Sequence, residues 1–235
     1  MLEARNLTAM RGGRIIFSKV NLRVEPGERV QVVAPSGGGK TTLCRTLAGF
    51  DEAQEGEVLV DGVPLPRCGV CPVQMIGQHP EHMLDPRKTM EASLREANPE
   101  AARAFAVKPA GSKKTAPTNP VPTNPVPTNP VPTNPVPIDS VLAHDLRLLR
   151  NLGIKQEWFE RYPQELSGGE LQRFCIARAL LAHPRYLIAD EISTMLDGIT
   201  QARLWQVILD ETTRARIGLV FTTHSESLAT HLMQF

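Results

Sequence analysis

Three stretches of this chain have residue types and spacings suited to handling phosphate. The first is Ala34-Pro35-Ser36-Gly37-Gly38-Gly39-Lys40-Thr41-Thr42. It follows the apolar run Val30-Gln31-Val32-Val33 and leads into Leu43, Cys44, Leu47 and Ala48, which share a face at helical spacing. Gly49 then stands where a helix C-cap belongs. A strand, a glycine loop and a helix start together predict an anion cradle. Its backbone N–H groups close around phosphate oxygens, and the helix dipole adds to the attraction. Ser36, Gly37, Gly38, Gly39, Lys40, Thr41 and Thr42 are therefore the expected nucleotide-binding residues. Lys40 supplies a point charge for the β- and γ-phosphates, and Thr41 a ligand for Mg2+. The usual pattern opens on glycine; here Ala34 takes that position.

The second stretch is Leu166-Ser167-Gly168-Gly169-Glu170. Ser167 and Glu170 have capping-box spacing, and Leu171, Phe174, Cys175 and Ala179 continue as a helix face. A serine and two glycines at a helix start also form an anion site, and both readings can hold together. The third stretch is a pair of strand ends. Tyr186-Leu187-Ile188-Ala189 reads as a buried strand running into Asp190-Glu191, and Gly218-Leu219-Val220-Phe221-Thr222-Thr223 runs into His224. A carboxylate at a strand end can hold magnesium through water, and its neighbour can orient an attacking water.

The elements that must carry these groups alternate. Residues 1–75 read as β-rich around the phosphate loop, with Val20, Leu22 and Val24 alternating before a Pro26-Gly27 turn. Val58-Leu59-Val60-Asp61-Gly62-Val63 reads as a hairpin about an Asp-Gly turn. Residues 166–235 alternate helix and strand, as a mainly parallel sheet wrapped by helices does.

Taken in order, the phosphate loop, Gln78, the Leu-Ser-Gly-Gly-Glu signature, Asp190-Glu191 and His224 resemble the ATP-binding subunit of ABC transporters. The resemblance spans nearly the whole chain. It implies an α/β fold, a P-loop ABC-type ATPase with a mainly parallel core sheet, an antiparallel β-subdomain and an inserted helical subdomain. Residues 1–79 and 166–235 would form the nucleotide-binding core, and 80–165 the helical subdomain. It also implies a second ATP-binding subunit, identical or different, paired head to tail. ATP held by Lys40 and its loop would then be capped by Ser167, Gly168, Gly169 and Glu170 of the opposite subunit. Glu191 resembles the family's catalytic base and His224 its γ-phosphate sensor. Gln78 resembles the residue linking magnesium and the attacking water to the membrane partner. Asp190 and Thr41 resemble the other magnesium-binding groups, and Asp197 fits the inter-subunit loop. The family often stacks an aromatic on adenine near the chain start, where this sequence has Met10 or Arg11.

The closer resemblance is to the peptide and nickel importer branch. It rests on Asp85-Pro86-Arg87-Lys88-Thr89 after the glutamine and on Arg161-Tyr162-Pro163-Gln164-Glu165 before the signature. The expected role is powering import of a peptide, nickel or a similar small solute through membrane-spanning permease subunits. The expected location is the cytoplasmic face of the membrane. The alternatives are an ATPase subunit of a soluble assembly such as carbon–phosphorus lyase, or a nucleotide-binding regulatory subunit with little turnover.

Composition bounds these readings. The chain has 235 residues, ample for a buried core, and a net charge of +1. Its basic residues are scattered, with no nucleic-acid footprint. No apolar run approaches the ~18 residues needed to cross a bilayer, so a membrane role must come through partners. Within the insertion, Pro-Thr-Asn-Pro-Val recurs four times in tandem up to Pro137. Its prolines forbid helix and ladder pairing, so 109–137 reads as a disordered spacer. Cys68 and Cys71 with His79 and His82 offer two cysteines and two histidines, but a buried strand through Val73, Met75 and Ile76 holds Cys71 and His79 apart. Ordinary thiols are expected.

Overall fold

The computed structural model describes residues 1–35, 37–66, 69–106, 138–193 and 196–233, with side chains from 141 onward in the fourth stretch. The repeat spacer 109–137, Ser36, Cys68 and Thr194-Met195 lie outside them.

The chain opens with β1 (Leu2–Arg11) and β2 (Arg14–Val24), antiparallel partners; on its other edge β1 pairs antiparallel with β4 (Glu55–Val60), and β4 with β5 (Val63–Pro64). The order in this sheet is β2-β1-β4-β5. The Asp-Gly hairpin forms as read. Val60 pairs with Val63, and Asp61 and Gly62 have φ of 53° and 78°, the two positive values that a type I′ turn demands. The Pro26-Gly27 turn forms too, closed by Glu28 N–H donating to the Glu25 carbonyl at 3.0 Å.

The second sheet is parallel: β3 (Arg29–Gln31), β8 (Gly218–Thr222), β7 (Tyr186–Asp190) and β6 (Val73–Ile76), in that order. Its strands are short apolar runs because both faces are covered. Tyr186 and Ile188 pack with Val73, Met75 and Val220 toward helix α1 (Lys40–Leu47), while Leu187, Ala189, Leu219 and Phe221 face the opposite way. The strand before the phosphate loop is shorter than its sequence suggests. Val32 N–H still bonds to the Phe221 carbonyl at 2.9 Å, but Val33 is 78% exposed. The chain has left the ladder there to begin the loop.

Helix α1 lies between the two sheets. Leu43, Cys44, Leu47 and Ala48 are all buried on its predicted face, against Leu2, Leu7 and Val24 of the antiparallel sheet. It ends as predicted at Gly49, where Gly49 N–H bonds to the Thr46 carbonyl and Phe50 N–H to that of Arg45, the paired pattern of a Schellman stop.

The other face of the parallel sheet carries α2 (Met90–Ala97), α3 (Pro99–Ala106), α4 (Ile138–Asn151), α5 (Gly168–Leu181), α6 (Gly198–Ala215) and α7 (Glu226–Met233). Their apolar faces join one cluster with the sheet. Phe105 stacks on Phe159 at 5.2 Å between centroids, and Phe159 meets Phe174 edge-on at 5.9 Å. Cys44 and Cys175 are packing groups. Burial pushes both thiols up, that of Cys175 to about 12. No helix among the described residues is long and apolar enough to cross a membrane.

Candidate nucleotide site

The register of β7 and β8 pairs Asp190 with Thr222, which brings the two predicted strand ends side by side. Next to them, beyond β3, the phosphate loop turns into α1. Gly39 caps that helix in a left-handed conformation, φ 82°, and its carbonyl accepts the first helical bond from Leu43 N–H at 2.8 Å. A side chain here would collide: a Cβ on Gly39 would lie 2.5 Å from Ile16 Cγ2 of β2. The loop is thus wedged between the helix and the antiparallel sheet.

A cavity of about 350 Å3 opens at this junction, lined by Gly37, Gly39, Lys40, Thr41, Thr42 and, from the strand ends, Gln78, Glu191 and His224. Arg11 and Ile16 complete its rim. Lys40 Nζ donates to the Ala34 carbonyl at 3.0 Å and stands 3.8 Å from Glu191 Oε1. The same Oε1 is 2.7 Å from His224 Nε2. Lys40 and Glu191 expose only 8% and 10% of their side chains, so cation and carboxylate face each other with little water between them.

Glu191 has an unusual backbone, φ 49°, a left-handed conformation costing ~1–3 kcal/mol in a non-glycine residue. Two bonds to Thr222 hold it there: Glu191 N–H donates to Thr222 Oγ1 at 3.0 Å and to its carbonyl at 3.3 Å. Thr222 Oγ1–H in turn donates to Asp190 Oδ1 at 2.7 Å. Asp190 is almost wholly buried, and its Oδ2 has no hydrogen-bond partner among the described residues. An ionised carboxylate oxygen left bare in the interior is costly unless a cation meets it. Asp190 itself is not on the cavity wall, but its orphan oxygen and the Thr41 and Gln78 side chains on that wall are hard oxygen ligands of the kind magnesium takes.

The signature lies elsewhere. Ser167 caps α5, accepting from Glu170 N–H at 3.4 Å while Ser167 N–H donates to Glu170 Oε2 at 2.9 Å. The predicted capping box is therefore present. The Ser167 backbone N–H, first among the causes, holds the Glu170 carboxyl below its usual range. Ser167 and Gly168 are exposed, and none of Ser167, Gly168, Gly169 and Glu170 lines the cavity. Gly38 sits just beside it, its N–H bonded to the Pro35 carbonyl at 2.9 Å. Asp197 is the N-cap of α6, its Oδ1 accepting from Ile199 and Thr200 N–H. The hydrogen bonds from Thr200, foremost, depress its carboxyl. Earlier in the chain, Ser193 Oγ accepts from Trp205 Nε1 of α6 at 3.2 Å.

Arg11, not Met10, reaches the cavity. A larger hollow of about 560 Å3 between α4 and α6 is lined by His144, His183 and Arg214 and shares no residue with the phosphate loop. Sequence reading passed over Thr222 and Ile16. Thr222 hides because threonine is an ordinary strand residue, and Ile16 because its contact with Gly39 crosses between sheets.

Residues 17–194 match the sequence profile described as ABC transporter. The chain belongs to the ABC transporter family. The resemblance drawn from the ordered motifs therefore holds at the level of the family. It is 32% identical over 220 residues to a probable peptide ABC transporter ATP-binding protein of Sinorhizobium fredii, covering 91% of this chain and 53% of the relative. It is 31% identical to the glutathione import ATP-binding protein GsiA of Escherichia coli, over 88% of this chain and 29% of that protein. The spermidine/putrescine import ATP-binding protein PotA of Chromobacterium violaceum is 30% identical over 97% of this chain and 54% of its own length. The cassette thus spans about half the length, or less, of these curated relatives. Among solved structures, the dimeric bacterial ABC transporter cassette MJ0796 superposes with a TM-score of 0.67 at 23% identity, over 98% of this chain and 90% of that one. The predicted α/β fold, with its parallel and antiparallel sheets and helical segments, is the fold of that family.

Proposed function

We propose that this chain binds and hydrolyses ATP to power a membrane ABC transporter, importing peptides, nickel or a similar small solute. One observation carries the hydrolytic part: Glu191 Oε1 lies between His224 Nε2 and Lys40 Nζ on the wall of one cavity that also holds the phosphate loop. When ATP enters, its β- and γ-phosphates take the place of the Ala34 carbonyl and Glu191 as partners of Lys40. Backbone N–H groups of Gly37, Gly39 and the start of α1 surround the phosphate oxygens. Glu191 accepts the proton of a water whose oxygen bonds to the γ-phosphorus as the bond to the β-phosphate oxygen breaks, releasing ADP and phosphate. His224 keeps the carboxylate aimed and meets the γ-phosphate. Thr41, Asp190 and Gln78 would hold a magnesium ion, which would supply charge neutralisation at the phosphates.

The exposed signature Ser167-Gly168-Gly169 outside the chain's own cavity supports pairing with a second ATP-binding subunit, each capping the ATP of the other. Asp197, at the same end of the α5–α6 region, belongs to that interface. Residues 1–79 and 166–235 act as the nucleotide-binding core and 80–165 as the helical part facing the permease. The chain works at the cytoplasmic face of the membrane, attached through permease subunits. The import reading draws on the relatives, whose names describe a peptide ABC transporter, glutathione import and spermidine/putrescine import.

Affinity purification from detergent-solubilised native membranes tests this reading. Multi-span permease subunits are expected to co-purify in a fixed ratio. Soluble enzyme subunits without a permease would instead assign the ATPase to a catalytic assembly.

A further inference from the structure

We propose that Thr222 is a positioning residue that sets both carboxylates of the site through one hydroxyl. The inference rests on the assignment of Asp190 to magnesium and Glu191 to the attacking water. Thr222 is fully buried, and a buried hydroxyl must find partners inside the protein. Its two partners are the two adjacent groups assigned to the chemistry. The hydroxyl hydrogen goes to Asp190 Oδ1, and a lone pair receives Glu191 N–H. A hydroxyl has one hydrogen to donate, so the arrangement has a single sense.

The first bond occupies Oδ1 and fixes the carboxylate plane, leaving Oδ2 as the oxygen without a partner among the described residues. The second bond, together with that to the Thr222 carbonyl, anchors Glu191 in its left-handed turn. That turn aims the side chain back toward His224 and Lys40 rather than along the strand. Valine would fill the same space in a buried strand at least as well. Packing alone therefore gives no reason for the hydroxyl, whereas the two strand-end residues do.

The test compares Thr222→Val and Thr222→Ser in the full chain, with Glu191→Gln as a control. Three quantities are read: phosphate release, the Mg2+ concentration giving half-maximal rate, and binding of a fluorescent ATP analogue with Mg2+ and with EDTA. Thr222→Val is expected to lose about tenfold or more in turnover, as befits a lost hydrogen bond to a charged group. Its Mg2+ requirement should rise several-fold, while binding in EDTA stays within about twofold. Thr222→Ser, which keeps the hydroxyl, should stay near wild type in all three. A purely structural role would move both binding measurements together. Unchanged turnover and Mg2+ requirement in Thr222→Val, or a serine variant as impaired as the valine, would overturn the inference. Should the valine variant fail to fold, Thr222→Ser is read against wild type, and a loss of about tenfold or more in its turnover overturns the inference. Wild-type turnover by Glu191→Gln would bring down the site assignment itself. A dead Glu191→Gln beside an unimpaired Thr222→Val would remove only the role of Thr222.

Discussion

Glu191→Gln is expected to cut ATP turnover by ~10²–10⁴-fold, the usual worth of a positioned general base, with ATP still bound. Glutamine has the shape of glutamate and can still accept from His224 through its amide oxygen. It cannot take a proton from water. The fold should be untouched, because the backbone N–H of residue 191, and with it both bonds to Thr222, is the same in either side chain. The loss of charge acts in the opposite direction on binding. Glu191 stands 3.8 Å from Lys40, so ATP must compete with a carboxylate for that cation. Removing the carboxylate frees Lys40 for phosphate, and affinity should hold or rise. Phosphate release measured beside equilibrium nucleotide binding checks both halves. A variant hydrolysing within tenfold of wild type would take Glu191 out of its role.

A second large effect is expected one residue before the lysine. Gly39→Ala should lower nucleotide affinity by about 10²-fold or more, through two separate costs. The backbone at Gly39 is left-handed, and an L side chain there is strained by ~1–3 kcal/mol. The new Cβ would also sit 2.5 Å from Ile16 Cγ2, an overlap that packed interiors relieve only by shifting the backbone, at ~1–3 kcal/mol. The segment that yields is the loop, since Ile16 belongs to a strand held by β1. Moving the loop scatters the N–H groups that should converge on phosphate. Titrating ATP into both proteins measures the loss. Adding Ile16→Ala should recover part of it, because the clash disappears while the strain at φ 82° remains. Undiminished ATP binding by Gly39→Ala would mean that the loop does not hold phosphate in this shape.

Much of the site was legible before the structure because its key parts are local. Lys40 and Thr41 follow the glycine loop directly, so strand, turn and helix start need only a dozen residues of context. The Ser167–Glu170 capping box and the Asp61-Gly62 turn are likewise closed within four residues, and each appears with the bonds its spacing implies. What stayed hidden depends on register between distant strands. Thr222 meets Asp190 across 32 positions of sequence because β7 and β8 pair in one particular register. Period and propensity do not fix that register. Ile16 meets Gly39 between two sheets whose packing no sequence pattern states. Asp197 is a case of a signal present but unread. An aspartate immediately before a helix is an N-cap by type and place, and the structure gives it that bond pattern alongside its proposed place at the subunit interface.

The most direct test of the whole account is the rate of phosphate release from MgATP by the purified chain and by Lys40→Ala, run side by side. With Lys40 proposed as the cation for the β- and γ-phosphates, release should be magnesium-dependent in the native protein and fall to background in the variant. Equal release by the two proteins would show that hydrolysis does not take place in this cavity.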